Sequence, residues 1–119
     1  MEVPEEVSRG GVVRFQPTVT NFGENSLEIE VPGGPLFEVY VTNPEGTVVW
    51  NNLHGGFVPL PLTILTLTSD EQSTRTIEWD QRGNDGARVQ PGSYLVFATF
   101  WLSFEPDLKT EPQPMRIIE

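Results

Sequence analysis

The chain contains no cysteine and a single histidine, His54. Disulfides, thiolate metal sites and cysteine nucleophiles are thereby excluded, as are metal sites built from several histidines. His54 is also the one imidazole available to a nucleophile–histidine–acid arrangement, and no serine lies in a nucleophile-elbow pattern. Basic residues are scarce as well: seven, against 17 acidic ones, for a net charge of −10. Such a balance opposes binding to nucleic acid or to an anionic membrane. No apolar run approaches the roughly 18 residues needed to span a bilayer. Glycine-rich phosphate loops are missing. Asp80, Asn84 and Asp85 precede Gly86, but Arg82 falls where a calcium loop would need a ligand. These absences lead us to expect no catalytic residue, no metal and no cofactor. The opening Met1-Glu2-Val3-Pro4-Glu5-Glu6 is acidic and lacks an apolar core, so it does not read as a secretory signal.

What is present is a β pattern. The 119 residues suit a single domain, 1–119, with one proper core. Helical periodicity is not sustained anywhere, and apolar residues alternate with polar ones instead. Val13, Phe15 and Val19 alternate with Arg14, Gln16 and Thr18, and Leu27, Ile29 and Val31 with Glu28 and Glu30. Phe37, Val39 and Val41 share one face of the run from Leu36 to Thr42. Thr47 to Trp50, Leu62 to Thr68, Thr74 to Asp80 and Met115 to Ile118 read as further strands, and the proline-rich stretch Glu105 to Pro114 as a connection. Asn43-Pro44-Glu45-Gly46 has the chemistry of a tight turn, with proline presetting φ and glycine taking the positive-φ position. Ser93 to Phe104 is the longest strand: Tyr94, Val96, Ala98 and Phe100 lie on one face, and Leu95, Phe97 and Trp101 on the other. About eight short strands separated by turns predict an all-β, Ig-like antiparallel β-sandwich, with a small barrel as the other architecture.

Candidate functional residues are apolar rather than catalytic. Glu28 and Glu30 share a strand face and read as a charged outer surface. Trp50 and Trp79 end alternating strands and are expected to be largely buried. Trp101 and Phe97 stand on the second face of a strand whose first face is already apolar, which makes that face a cover for another layer or an interface. The connection from Asn51 to Pro61 is long for a hairpin-rich domain, and long loops on rigid sandwiches concentrate binding function. Its candidate partner-binding residues are Leu53, His54, Phe57 and Leu60, joined by Trp101 from the longest strand. Pro59 and Pro61 favour an extended chain, while Gly55 and Gly56 allow close backbone approach.

Several of these features occur together in one known arrangement. Val19-Thr20-Asn21, Gly34 with Phe37-Glu38-Val39, Glu45-Gly46-Thr47-Val48-Val49-Trp50, Phe57, Leu67, Thr76-Ile77-Glu78-Trp79-Asp80 and Pro91-Gly92-Ser93-Tyr94 follow one another in an order that resembles the intracellular proteinase inhibitor family, the BsuPI-type domain. The resemblance covers about residues 12–104. It implies an Ig-like sandwich without catalysis of its own, a protein partner in the form of a subtilisin-like serine proteinase, and a cytoplasmic location. An extracytoplasmic location follows instead if a signal peptide has been removed. The competing expectation is an Ig-like interaction or assembly module with no inhibitory activity.

Overall fold

The computed structural model describes residues 1–32, 37–54, 62–102 and 105–119, with the backbone alone for 29–32, 62–63, 102 and 105–107. Every regular element among them is a strand. Among the described residues there is accordingly no helix long and apolar enough to cross a membrane.

One layer is a six-stranded sheet. At its centre β10 (Gly92–Leu102) pairs antiparallel with β5 (Phe37–Thr42), and β5 pairs with the edge strand β6 (Val48–Asn51). On its other side β10 pairs first with β12 (Gln113–Ile118) and then with β11 (Glu105–Lys109). The short β1 (Glu6–Ser8) joins β12 as the one parallel pair among the described strands. The hairpin between β5 and β6 closes as its sequence predicts: Asn43 Oδ1 accepts the Glu45 and Thr47 amides at 3.1 and 2.9 Å, and Gly46 sits at φ +88°.

The other layer is a long, interrupted two-stranded ladder. Its pairs are β2 (Val13–Phe15) with β9 (Ile77–Trp79), β3 (Thr18–Thr20) with β8 (Gln72–Thr74), and β4 (Leu27–Pro32) with β7 (Leu62–Leu67). Pro17 breaks the first interval because it has no N–H to donate, yet its carbonyl still accepts the Arg75 amide at 3.1 Å, so the register is kept. At the second interval the six residues from Asn21 to Ser26 face the four from Thr68 to Glu71, and β4/β7 is displaced by two residues. Asn21, only 2% exposed, absorbs the excess: its amide donates to the carbonyls of Leu67, Thr68 and Asn25, and its Oδ1 accepts the Gly23 N–H. The break at Pro17 divides two predicted strands into β2/β3 and β8/β9; together with β1 and β11, which the alternation does not predict, this brings the predicted eight strands to twelve among the described residues.

The core fills the space between the layers. Val39, Val41, Val96, Met115 and Ile117 from the first sheet meet Val13, Phe15 and Trp79 from the second. Trp79, 1% exposed, stacks on Trp50 with ring centroids 5.4 Å apart and on Phe15 at 6.4 Å, and its indole N–H donates to Arg82 O at 2.8 Å. Burying an aromatic side chain of this size contributes about 1.5–3 kcal/mol or more. A second cluster, Val19, Phe37, Leu67 and Phe100, continues the core toward the other end. Trp79 is buried as expected, and Trp50, on the edge strand β6, is partly buried and packs against the same cluster. One expectation is corrected here. The proline-rich stretch is not merely a connection: β11 lies in it, with Pro106 opposite Trp101 where the register slips, a position on an edge strand that tolerates a missing N–H.

Candidate functional site

Period-2 alternation sends Phe37, Val39 and Val41 of β5 into the core and leaves Glu38, Tyr40 and Thr42 on the outer face of the sheet. The register of β5 on β10 sets Glu38 opposite Thr99 and Tyr40 opposite Phe97. Cross-strand neighbours on one face touch. The Tyr40 and Phe97 rings accordingly stack, with centroids 4.8 Å apart and planes 18° from parallel, and Lys109 Nζ stands 4.5 Å from the Phe97 centroid.

Glu38 is the centre of this face. It is only 5% exposed, and among the described residues it takes part in no ion pair. Neutral donors satisfy it instead. Tyr40 Oη donates to Oε1 at 2.5 Å, Trp101 Nε1 to the same oxygen at 3.2 Å, and Asn51 Nδ2 to Oε2 at 2.7 Å. A buried carboxylate is tolerable only with such bonds in place. Burial, followed by the hydrogen bond to Glu38 and its charge, pushes the Tyr40 phenol up to about 12; the Thr99 hydroxyl acts in the opposite sense without forming a regular hydrogen bond.

Asn51 begins the long connection, and it is joined there by Asn52 and Asn84. The Asn51 amide N–H donates to Asn84 Oδ1 at 3.2 Å, and Asn84 Nδ2 returns a bond to Asn51 Oδ1 at 2.8 Å. Asn52 takes over where the β5/β6 ladder ends. Its Oδ1 accepts the Val39 N–H at 2.7 Å, and its Nδ2 donates to Phe37 O at 3.1 Å. A side-chain amide carries the same donor and acceptor as a peptide group, so Asn52, whose main-chain N–H also donates to Val39 O at 3.4 Å, extends the ladder by its side chain. The turn itself is closed by His54 N–H to Asn51 O at 3.2 Å.

Two of the sequence-predicted regions therefore meet. Trp101, half-buried, and the root of the 51–61 loop are both tied to Glu38. Leu53 is half-buried and His54 exposed beside that root. Phe57 and Leu60 lie outside the described residues. Sequence reasoning missed Glu38, Tyr40, Asn51, Asn52 and Asn84. The one local signal was the Asn51-Asn52 doublet at a strand end, which offers two amides where backbone pairing stops. Among the described residues no group of three or more acidic or histidine side chains is arranged to hold a metal ion.

Fold and site together define a β-sandwich with a hydrogen-bonded cluster around Glu38, Asn51 and Asn84 at the β6 margin. The pattern that describes the intracellular proteinase inhibitor family, BsuPI, matches residues 1–103, and the chain belongs to that family. No curated protein matches it. Among solved structures, a mutant β-glucosidase from Listeria innocua in complex with laminaribiose is similar at TM-score 0.51 and 16% identity, over 99% of this chain and 15% of that one. The same enzyme in complex with glucose is similar at TM-score 0.50 and 15% identity, over 98% of this chain and 15% of that one. An alkylpurine DNA glycosylase from Pseudomonas fluorescens, bound to DNA containing an abasic site analog, is similar at TM-score 0.50 and 9% identity, over 96% of this chain and 28% of that one. The chain thus spans a small part of each of these enzymes, and the likeness is one of fold.

Proposed function

We propose that this protein is a non-catalytic inhibitor of a subtilisin-like serine proteinase, acting in the cytoplasm through the loop from Asn51 to Pro61. Family membership supports a proteinase as partner. The observation that carries the loop reading is the root: Asn51 and Asn52 fasten the first residues of the loop to Glu38, Asn84 and the β5 main chain. A loop gripped by a proteinase cleft must lose little entropy on binding, and a root fixed at several points reduces that loss. Leu53, Phe57 and Leu60 are the apolar side chains offered to a specificity pocket, with His54 and Trp101 as the further contact residues.

Titration against subtilisin tests this reading. Sub-micromolar inhibition is expected, abolished in the double variant Leu53→Asp, Leu60→Asp with the melting temperature nearly unchanged. Inhibition that survives both changes places the contact elsewhere. The second reading, an Ig-like interaction or assembly module, is favoured by the occurrence of a similar sandwich within much larger enzymes. A folded protein that inhibits neither subtilisin-like nor cysteine proteinases selects it.

A further inference from the structure

Among the described residues β3 pairs only with β8, whereas β10 of the other layer is flanked by β5 on one side and β11 on the other. Phe100 of β10 faces the core and is buried. Its cross-strand neighbour Leu108 on β11 shares that face, yet is 50% exposed. The missing cover lies beside β3, whose outer edge pairs with no strand among the described residues. Between that edge and β11 runs a groove of about 320 Å³, floored by Val19, Phe37 and Phe100 and rimmed by Leu108 and by Phe22, which is 88% exposed.

The edge itself specifies what fits. Pro17 O and Asn21 N–H point toward the β8 side, where they bond Arg75 N and Glu71 O. In an antiparallel ladder the main-chain groups of alternate residues point to opposite sides, so those of Thr18 and Thr20 point into the groove. The same parity is in use just upstream, where Gln16 and Glu2 exchange both main-chain bonds on this outer edge, at 3.3 and 3.2 Å. Beyond Gln16 the edge continues with no described strand beside it. A second copy of the chain is a poor occupant, because each copy carries a net charge of −10. Lys109 is the one charged residue among those described that line the groove.

We infer that this groove is a second docking site, which takes an extended, apolar, uncharged segment of a partner polypeptide as an added strand antiparallel to β3. Residues of the segment that hydrogen-bond to Thr18 and Thr20 project their side chains outward, as those threonines do. The intervening residues lie opposite Val19 and cover Leu108 and Phe22, the exposed apolar side chains of the groove. The inference does not depend on the loop, since its readout is at β3 and not proteinase inhibition.

The test uses a ten-residue peptide of alternating valine and threonine, titrated into the intact protein and followed by amide hydrogen exchange and ¹⁵N–¹H spectra. The valines seat inward, so the threonine amides face β3. Protection of the Thr18 and Thr20 amides is expected, with Val19 unchanged. N-methylation at the threonine amides should weaken binding by about tenfold or more, and N-methylation at the valine amides should not. Phe22→Glu and Leu108→Glu, both at exposed positions, should weaken it similarly with the melting temperature kept. Three outcomes overturn the proposal: no protection at Thr18 and Thr20, equal effects of the two methylation patterns, or protection that grows with protein concentration in the absence of peptide, which would make a second copy the occupant.

Discussion

The two layers of the sandwich finish their edges differently. At the β6 margin the strand ends at Asn51, and Asn52 continues the ladder with a side-chain amide while Asn51 and Asn84 bond each other. At the β3 margin no described strand pairs with the outer edge, and an apolar groove with a highly exposed phenylalanine opens beside it. Unpaired strand edges attract other strands, so a fold must either satisfy them or put them to use. Satisfying an edge with side chains gives a rigid root from which a loop can be presented. Leaving one open over an apolar floor gives a surface that selects extended chain.

The sharpest control on this comparison is the core that both margins share. Trp79→Ala should cost about 3–5 kcal/mol, seen as a fall in the urea midpoint, and should weaken both margins together. A loss below about 1 kcal/mol would mean that the stack with Trp50 and Phe15 contributes little. Next in size is Asn52→Ala, which leaves the Val39 N–H and the Phe37 carbonyl without their partners and should cost about 1–3 kcal/mol. The same variant should speed proteolytic cleavage within 51–61 while leaving amide exchange at Thr18 and Thr20 untouched. Equal changes at both margins would mean that Asn52 holds the whole sandwich and not the β6 margin alone.

A third effect depends on pH. Tyr40 has its phenol pushed up to about 12 in the folded protein, against an ordinary value of 10.0. Its contribution to stability is fully present below pH 10 and is lost as pH rises from there through 12, since the unfolded chain releases the proton first. Denaturant midpoints should fall over that interval alongside the late tyrosinate absorbance. Tyr40→Phe should remove the Tyr40 part of both; Tyr94, raised as well by burial, keeps a smaller share. The smallest expected effect is Thr20→Pro. The N–H it deletes points out of the β3 edge rather than into the ladder, so stability should stay within about 0.5 kcal/mol. A large loss would show that the edge is already paired.

Much of this architecture was legible along the chain. Alternation assigned the inward faces of β2, β5 and β10 correctly, because a half-buried strand exposes its period directly in the order of its residues. The hairpin at Asn43–Gly46 was legible for the same local reason. Other features were not. The alternation over Val13–Val19 shows no break, although Pro17 divides it. The stretch after Phe104 resembles a linker because its prolines mask a strand that survives only at a bulge and an edge. Trp50 and Trp79 carry similar local signals, yet Trp79 is 1% exposed and Trp50 only partly buried, a difference set by how the two layers pack.

The sequence alone determined the fold class, the interior faces and the turns, since each rests on the chemistry of neighbouring residues. Tertiary structure decided the rest. Glu38 reads in isolation as a solvated charge on an outer face, and it becomes a buried acceptor only because register sets Trp101 and Asn51 beside it. Leu108 reads as one more apolar residue, and it stands 50% exposed beside the β3 edge, with which no described strand pairs. Both outcomes depend on contacts between segments far apart in the chain, and no local period of the sequence encodes those contacts.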